Sequence, residues 1–149
     1  MPMIRIQRSA LLPYPAEHLY QLVCDIPEYP TFIGGCSAAR IVRTWEQGVE
    51  AELTIGAMGG HYSFSTRNTL VEPREIIMEL IDGPLQHLVG RWAFSSLAES
   101  AAKVSLDLQF ETSGPLPGFA AKQLAERVST TVVDAIIRRA HSALGGGHG

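Results

Sequence analysis

Hydrophobic and polar residues alternate in a series of short segments over the first three quarters of the chain. In each segment one set of alternate side chains is apolar, as expected when one face of a strand is buried and the other meets solvent. From residue 37 onwards the linkers are short and rich in turn-forming residues, which favours antiparallel pairing. We predict roughly seven strands, at residues 4–12, 37–44, 49–57, 62–70, 76–81, 88–94 and 104–110.

Two segments follow a helical period instead. Leu19 and Val23 lie one helical turn apart, which predicts a short helix over residues 15–25. Towards the C-terminus, apolar residues recur four positions apart over residues 120–140, and charged residues lie off that stripe. This pattern predicts one long amphipathic helix over residues 119–144, ended by the glycines that follow.

Residues 25–36 join the first helix to the second strand. Pro27 and Pro30 exclude an ordinary long helix there, because proline has no amide hydrogen to donate and restricts the residue before it. The same stretch carries Tyr29 and Phe32, whose rings favour burial. We interpret it as a rigid apolar elbow, which is either a wall or lid of a cavity or a well-packed loop.

A curved sheet and a single long helix bury each other only if the sheet wraps around the helix. The pattern therefore predicts one α+β domain over residues 1–145, with a disordered tail at 146–149. Architectures of this kind often keep a pocket between sheet and helix. The concave face is expected to carry the large inward side chains of the strands, namely Tyr62, Phe64, Met78, Trp92, Phe94 and Phe110.

Composition narrows the class of protein. Hydrophobic residues make up 46% and charged residues 18% of the 149 residues, which indicates a globular chain with a substantial core. The formal net charge of −3 argues against a protein that grips nucleic acid through its phosphates, and we expect no direct DNA binding. Since no signal peptide or long apolar run is evident, we expect a cytoplasmic protein, with Cys24 and Cys36 as free thiols.

Motifs for catalysis are missing from the sequence. It has no nucleophile elbow, phosphate loop or dinucleotide fingerprint, and its five histidines lack metal-ligand spacing. We therefore expect no catalytic residues and no metal site, which favours a binding protein over an enzyme. Arg40, Arg67 and Asn68 are interpreted as outward-facing polar residues, with the lining of a cavity as the alternative. An inward Trp92 suits either the core or the floor of a site for a flat ring.

Several motifs, in order along nearly the whole chain, carry a family resemblance. They include Tyr-Pro-Thr-Phe at 29–32, Phe-Ser-Thr-Arg-Asn at 64–68, Asp-Gly-Pro at 82–84 and Trp-Ala-Phe at 92–94. With them the chain resembles the START-like (SRPBCC, polyketide cyclase/dehydrase) proteins. Within that superfamily it is similar to the family that contains coenzyme-Q-binding proteins and the ribosome-association toxin RatA.

The resemblance implies a helix-grip fold, in which a curved antiparallel sheet holds a C-terminal helix around a hydrophobic tunnel. It also implies non-enzymatic binding of a prenylated quinone or another lipid in support of respiration. Ubiquinone would be a ligand and not a covalently bound cofactor. The expected tunnel residues are Phe32 at the elbow, Phe64 and Trp92 on the sheet, and Leu124 and Val128 on the helix.

Two further functions are compatible with the same resemblance. One is a toxin that binds the large ribosomal subunit and inhibits translation initiation, for which a basic patch of Lys122, Arg127, Arg138 and Arg139 is the candidate surface. The other is a polyketide cyclase-type enzyme, which superfamily membership alone suggests. A quinone carrier would also make transient contact with a membrane surface, placing the protein at the periphery of the inner membrane.

Overall fold

Seven strands form one antiparallel sheet in the computed structural model, which describes residues 3–112 and 116–145. In chain order they are β1 (Met3–Leu12), β2 (Cys36–Trp45), β3 (Gly48–Ala57), β4 (Gly60–Val71), β5 (Glu75–Asp82), β6 (Gln86–Ala98) and β7 (Ala101–Glu111). Their order across the sheet is β1-β7-β6-β5-β4-β3-β2. The α+β fold predicted from the alternating pattern is confirmed, and each strand lies within a few residues of its predicted bounds.

The two predicted helices are present as α1 (Ala16–Cys24) and α3 (Gly118–Ala140). Beyond Ala140 the backbone continues as a wider π-helical turn over His141–Gly145, so the α-helix ends earlier than the predicted residue 144. None of the helices in the described part of the chain is long and apolar enough to cross a membrane. The tail predicted at residues 146–149 lies outside the described residues.

The sheet is curved, and several irregularities in strand pairing contribute to the curvature. Pairing shifts register twice between β2 and β3, once between β4 and β5, and twice between β6 and β7. An extra residue on one strand bends that strand and increases its local twist. Bulges spread across the sheet in this way allow it to wrap around α3.

Helix α3 packs into the concave face, where apolar side chains of the sheet meet its inner stripe. Phe110 of β7 and Leu124 of α3 have no exposed surface. Of the strands, β1 at one edge of the sheet shares the most contacts with the helix. There Arg8 Nε donates a hydrogen bond to Thr130 Oγ1 at 3.1 Å. The helix therefore leans towards the β1–β7 side of the sheet.

The convex face is polar and partly ion-paired. The Arg40 guanidinium lies 2.6 Å from Glu52 Oε1, and both side chains are exposed. Arg67 is exposed as well, with its guanidinium carbon 6.0 Å from the centre of the Trp45 ring. The interpretation of these two arginines as outward-facing residues is confirmed.

The elbow consists of a 3₁₀ helix (Ile26–Glu28) and a single α-helical turn, α2 (Tyr29–Phe32). Its attachment to α1 depends on one buried hydrogen bond, in which the Tyr29 hydroxyl donates to the carbonyl oxygen of Val23. That carbonyl belongs to the last turn of α1, where the helix itself supplies no amide partner. Burial raises the pKa of the Tyr29 phenol, so the hydroxyl stays protonated and able to donate.

Replacing Tyr29 by phenylalanine should lower the free energy of unfolding by about 1–2 kcal/mol, because the Val23 carbonyl is left buried without a partner. Chemical denaturation measures the change. Tyr14→Phe is the matched control, since the Tyr14 hydroxyl bonds His141 Nδ1 (2.7 Å) in an exposed setting. Equal losses in the two variants would contradict the role assigned to Tyr29.

Gly48, at the start of β3, approaches the backbone of β4 too closely for a side chain. A Cβ atom there would lie 2.0 Å from the carbonyl oxygen of Asn68, whereas one at Gly34 would meet nothing within 4 Å. Gly48→Ala should therefore destabilise the protein by about 1–3 kcal/mol, as overpacking does. Gly34→Ala should leave the thermal midpoint unchanged within about 2 °C or raise it slightly. Thermal unfolding that ranks the two variants the other way would contradict this packing.

Candidate functional site

A cavity of about 110 Å³ lies between the concave face of the sheet and α3. It forms under strands β3 to β7, on the side away from the β1 edge towards which the helix leans. The elbow closes part of it through Ile26 and Tyr29. The remaining lining residues are Ala51, Leu53, Phe64, Thr66, Asn68, Met78, Leu80, Leu88, Gly90, Trp92, Leu106, Leu108, Val128, Ser129 and Val132.

Trp92 gives the cavity a flat aromatic wall. Its indole is buried and stacks on the ring of Phe94, with ring centres 6.3 Å apart and planes 15° apart. Tyr20 of α1 in turn packs edge-on against the Phe94 ring, with ring centres 5.5 Å apart. The indole is therefore held in one orientation by its neighbours.

The structure brings three of the five expected tunnel residues to the cavity. Phe64, Trp92 and Val128 line it, and Phe32 and Leu124 are not among its lining residues. Contact between a ligand and any of the five residues stays a prediction.

The two remaining residues lie elsewhere for different reasons. The Phe32 ring sits edge-on to Tyr29 at 5.8 Å, and the Arg139 guanidinium covers it at 5.2 Å from its centre. Leu124 lies one turn before Val128 on the same stripe of α3, but at that level the core packs around it and leaves no exposed surface.

Asn68 is the main correction to the sequence analysis, because its interpretation as an outward-facing residue is wrong. The residue is 5% exposed and lines the cavity. Its Oδ1 atom has no hydrogen-bond partner in the described part of the chain. The signal was available in the sequence: Asn68 and Thr66 follow Phe64 at two-residue intervals, which places all three on one face of β4.

Asn68 belongs to a row of paired residues that crosses the concave face. It pairs with Met78 of β5, which pairs with Gly90 of β6, which in turn pairs with Leu108 of β7. A Cβ atom at Gly90 would lie 2.6 Å from Met78 Cε and 2.9 Å from Leu108 Cδ2. The ends of these two apolar side chains therefore occupy the space over Gly90, and Asn68 is the polar member of the row.

A second cavity, of about 40 Å³, adjoins the first beneath α1. Met78, Trp92 and Asn68 line both, together with Ile26 and Tyr29. Met78 has an unbranched, flexible side chain. Its side chain is therefore a movable part of the wall that the two cavities share.

The lining of the larger cavity is mostly apolar. None of the described residues lining the larger cavity is aspartate, glutamate, histidine, lysine or arginine. Burial raises the pKa of the Tyr29 phenol, and its hydroxyl is already committed to Val23. Ser129 Oγ donates to the carbonyl oxygen of Glu126 at 3.1 Å. The arrangement can surround an apolar molecule and offer it a hydrogen-bonding group, but it holds no pair of groups suited to proton transfer near neutral pH.

Elsewhere in residues 3–112 and 116–145, no group of three or more histidine, cysteine, aspartate or glutamate side chains could hold a metal ion. Cys24, which lines the smaller cavity, is a free cysteine. Burial raises the pKa of its thiol, so the sulfur stays protonated at neutral pH.

Curated proteins similar to this chain include a ribosome association toxin and a coenzyme Q-binding protein. Ribosome association toxin RatA of Pseudomonas aeruginosa is 43% identical over 140 residues, which cover 94% of this chain and 97% of that protein. Coenzyme Q-binding protein coq10, a mitochondrial protein of Schizosaccharomyces pombe, is 22% identical over 139 residues, with 89% and 84% of the two chains covered.

Solved structures of the same fold come from proteins of low sequence identity. The Zhui aromatase/cyclase from Streptomyces sp. R1128 superposes with a TM-score of 0.86 at 17% identity, covering 96% of each chain. A START superfamily protein from Mycobacterium smegmatis superposes with a TM-score of 0.81 at 19% identity, covering 93% of this chain and 98% of that one. These likenesses confirm the helix-grip, START-like fold that the sequence resemblance implied.

The family model for polyketide cyclase/dehydrase and lipid transport proteins matches residues 12–137, which include the whole cavity. By that match and by the similarity to RatA, the chain belongs to the polyketide cyclase/dehydrase and lipid transport family.

Proposed function

We propose that this protein binds a hydrophobic small molecule, a prenylated quinone such as ubiquinone, in the cavity between the sheet and α3, and that it does so without catalysis. The observation that carries the proposal is an apolar cavity with a flat indole wall and a polar group facing inward. A quinone is a flat ring with oxygen substituents and an apolar tail, so its chemistry matches those three features. The similarity to coenzyme Q-binding protein coq10 supports the same ligand class.

The size of the cavity sets a condition on binding. Pockets for small molecules usually have volumes of about 300 Å³ or more, and this cavity has about 110 Å³. A prenylated quinone therefore enters only if the space widens. Met78 lines both cavities with a flexible side chain and is one place where the wall can move. The two cavities together still fall short of that volume, so other lining side chains must move as well.

The lining residues also support binding without catalysis. A cyclase or dehydratase needs a group that gives or takes a proton at working pH. The four polar side chains of the described lining are Tyr29, Thr66, Asn68 and Ser129. None of them titrates near neutral pH, since the amide and the aliphatic hydroxyls do not ionise and burial raises the pKa of Tyr29.

Filling the cavity should abolish binding. In Val128→Phe the larger ring takes up space in the cavity that Val128 and Trp92 both line, so we expect at least about tenfold weaker binding of decylubiquinone. We also expect no quinone in an organic extract of the freshly purified variant. Titration calorimetry and mass spectrometry of the extract are the two measurements.

Val89→Phe is the matched control, because Val89 is exposed on β6, at a position that alternates with the inward-facing residues. It carries the same substitution outside the cavity and should bind like the unmodified protein. If Val128→Phe is folded, as shown by its circular dichroism spectrum, and still takes up the quinone as well as the control, the cavity is not the binding site.

A second candidate function is association with the ribosome, with the large subunit as the expected partner. The specific observation in its favour is 43% identity to a ribosome association toxin over almost the whole length of both chains. Of the four basic residues considered from the sequence, two have local partners: Lys122 Nζ lies 3.9 Å from Glu126, and Arg139 covers the Phe32 ring. Arg127 and Arg138 are exposed on α3, about three turns apart on one side of the helix.

If α3 contacts the ribosome, reversing these two charges should weaken the contact. We expect the tagged protein to sediment with large ribosomal subunits in a sucrose gradient at low salt, and the fraction bound to fall as salt rises. Arg127→Glu combined with Arg138→Glu should reduce that fraction by at least about threefold, whereas Arg43→Glu on β2 should not. Sedimentation only at the top of the gradient at low salt would contradict ribosome association.

A further inference from the structure

The cavity contains a polar group that has no partner within the protein. Asn68 is 5% exposed, its side chain lines both cavities, and its Oδ1 atom accepts no hydrogen bond from residues 3–112 or 116–145. A buried amide without its hydrogen bonds carries a desolvation penalty, so native proteins retain few of them. Such a group in a cavity wall is accounted for if a bound molecule supplies the missing partner.

The other polar side chains around the cavity differ from Asn68. The Tyr29 hydroxyl donates to the carbonyl of Val23, and the Ser129 hydroxyl donates to the carbonyl of Glu126. Thr66 lies on the same face of β4, two residues before Asn68, and adds a hydroxyl beside the amide. The polar part of the lining that faces a ligand is therefore concentrated on β4.

The position of Asn68 restricts how an amphipathic ligand can lie. Its neighbours across the concave face are Val49 on β3 and Met78 on β5, and both are apolar. Trp92 lines the same two cavities and offers a flat surface. An oxygen atom on the ligand is thus best placed against β4, beside the Asn68 amide and the Thr66 hydroxyl, while the apolar lining suits its ring and tail.

We propose that Asn68 is the head-group anchor of the cavity, and that its amide forms a hydrogen bond with a ring oxygen of the bound molecule. This inference rests on the proposed function and adds the chemistry of the ligand's head group to it. A carboxamide both donates and accepts hydrogen bonds. The unpartnered Oδ1 atom is an acceptor, so it pairs directly with the hydroxyl of a quinol. The carbonyl of a quinone is itself an acceptor and takes its hydrogen bond from Nδ2, once the amide has turned over in the cavity. The anchor therefore serves both redox forms, and the protein binds the quinol at least as tightly as the quinone.

The test compares two ligands that share a decyl tail and a six-membered ring, decylubiquinone and decylbenzene, of which only the first carries oxygen. Binding of each is measured by titration calorimetry to the unmodified protein and to Asn68→Leu, a substitution that preserves shape and removes the hydrogen bond. The unmodified protein should bind decylubiquinone about tenfold more tightly than decylbenzene, and Asn68→Leu should lose that preference. Decylubiquinol should bind the unmodified protein at least as tightly as decylubiquinone does, because its hydroxyl donates to the unpartnered Oδ1 atom.

The stability of the ligand-free protein provides a second measurement. Asn68→Leu removes an unpartnered polar group, so its thermal midpoint should rise by about 2–4 °C while quinone binding weakens. Thr69→Val, on the opposite face of β4, should change neither ligand preference nor midpoint to that extent. If Asn68→Leu does not fold, Asn68→Ala is measured instead, with the same loss of preference expected.

The outcomes separate the two proposals. If the folded Asn68 variants keep the full preference for decylubiquinone, Asn68 is not the anchor, although the cavity remains the binding site. A quinol that binds about tenfold or more weakly than the quinone would overturn the assignment of the head-group hydrogen bond to the Asn68 amide. If the unmodified protein binds neither decylubiquinone nor decylbenzene, the proposed function itself fails.

Discussion

A single helix, α3, packs against the concave face of a sheet of seven strands and is too narrow to cover it. The rest of the structure depends on this difference in width. An α-helix with its side chains is about 10–12 Å across, and neighbouring strands lie about 4.8 Å apart, so α3 covers little more than two strands at once. It leans towards the β1 edge, where Arg8 reaches Thr130. The sheet must then curve over the open side, and the space that remains is the cavity. The pocket therefore results first from the difference in width between the helix and the sheet, and the individual side chains then set its size and shape.

The elbow and the polar wall show how the protein maintains that space. Tyr29 of α2 lines the cavity, and its hydroxyl bonds the last turn of α1. One hydrogen bond thus helps to hold the elbow in place as a wall of the cavity. The two prolines of the elbow prevent this stretch from forming a longer helix. Asn68 has the opposite effect, since a buried carboxamide without a partner lowers the stability of the ligand-free protein. A stabilising apolar residue would fit the same position. If Asn68 anchors a ligand, as we propose, its cost is the usual compromise between stability and function.

The sequence predicted those features that depend on local periodicity. Two-residue alternation placed the strands and put Phe64 and Trp92 on the inner face, and four-residue spacing placed Val128 on the buried stripe of α3. The same alternation puts Asn68 on the inner face with Phe64. The outward interpretation of Asn68 followed from its polar side chain instead, and it was wrong, whereas the alternative of a cavity-lining residue is confirmed. The position of the cavity along α3 could not be predicted, because it depends on where the helix meets β1, a contact between residues at opposite ends of the chain. For that reason Leu124 lies in solid core one turn away from Val128, and Phe32 lies against Arg139.

The central claim is that the cavity between the sheet and α3 receives a ring-bearing apolar ligand, and methyl-group NMR during a titration with decylubiquinone tests it most directly. The account predicts that the methyl signals of the lining residues Leu53, Leu88 and Val132 shift together and saturate at about one ligand per chain. The methyl signals of Val89 and Leu97, which are exposed outside the cavity, should not move. Signals from the lining that stay unchanged at saturating ligand, or shifts confined to the exposed residues, would contradict the account.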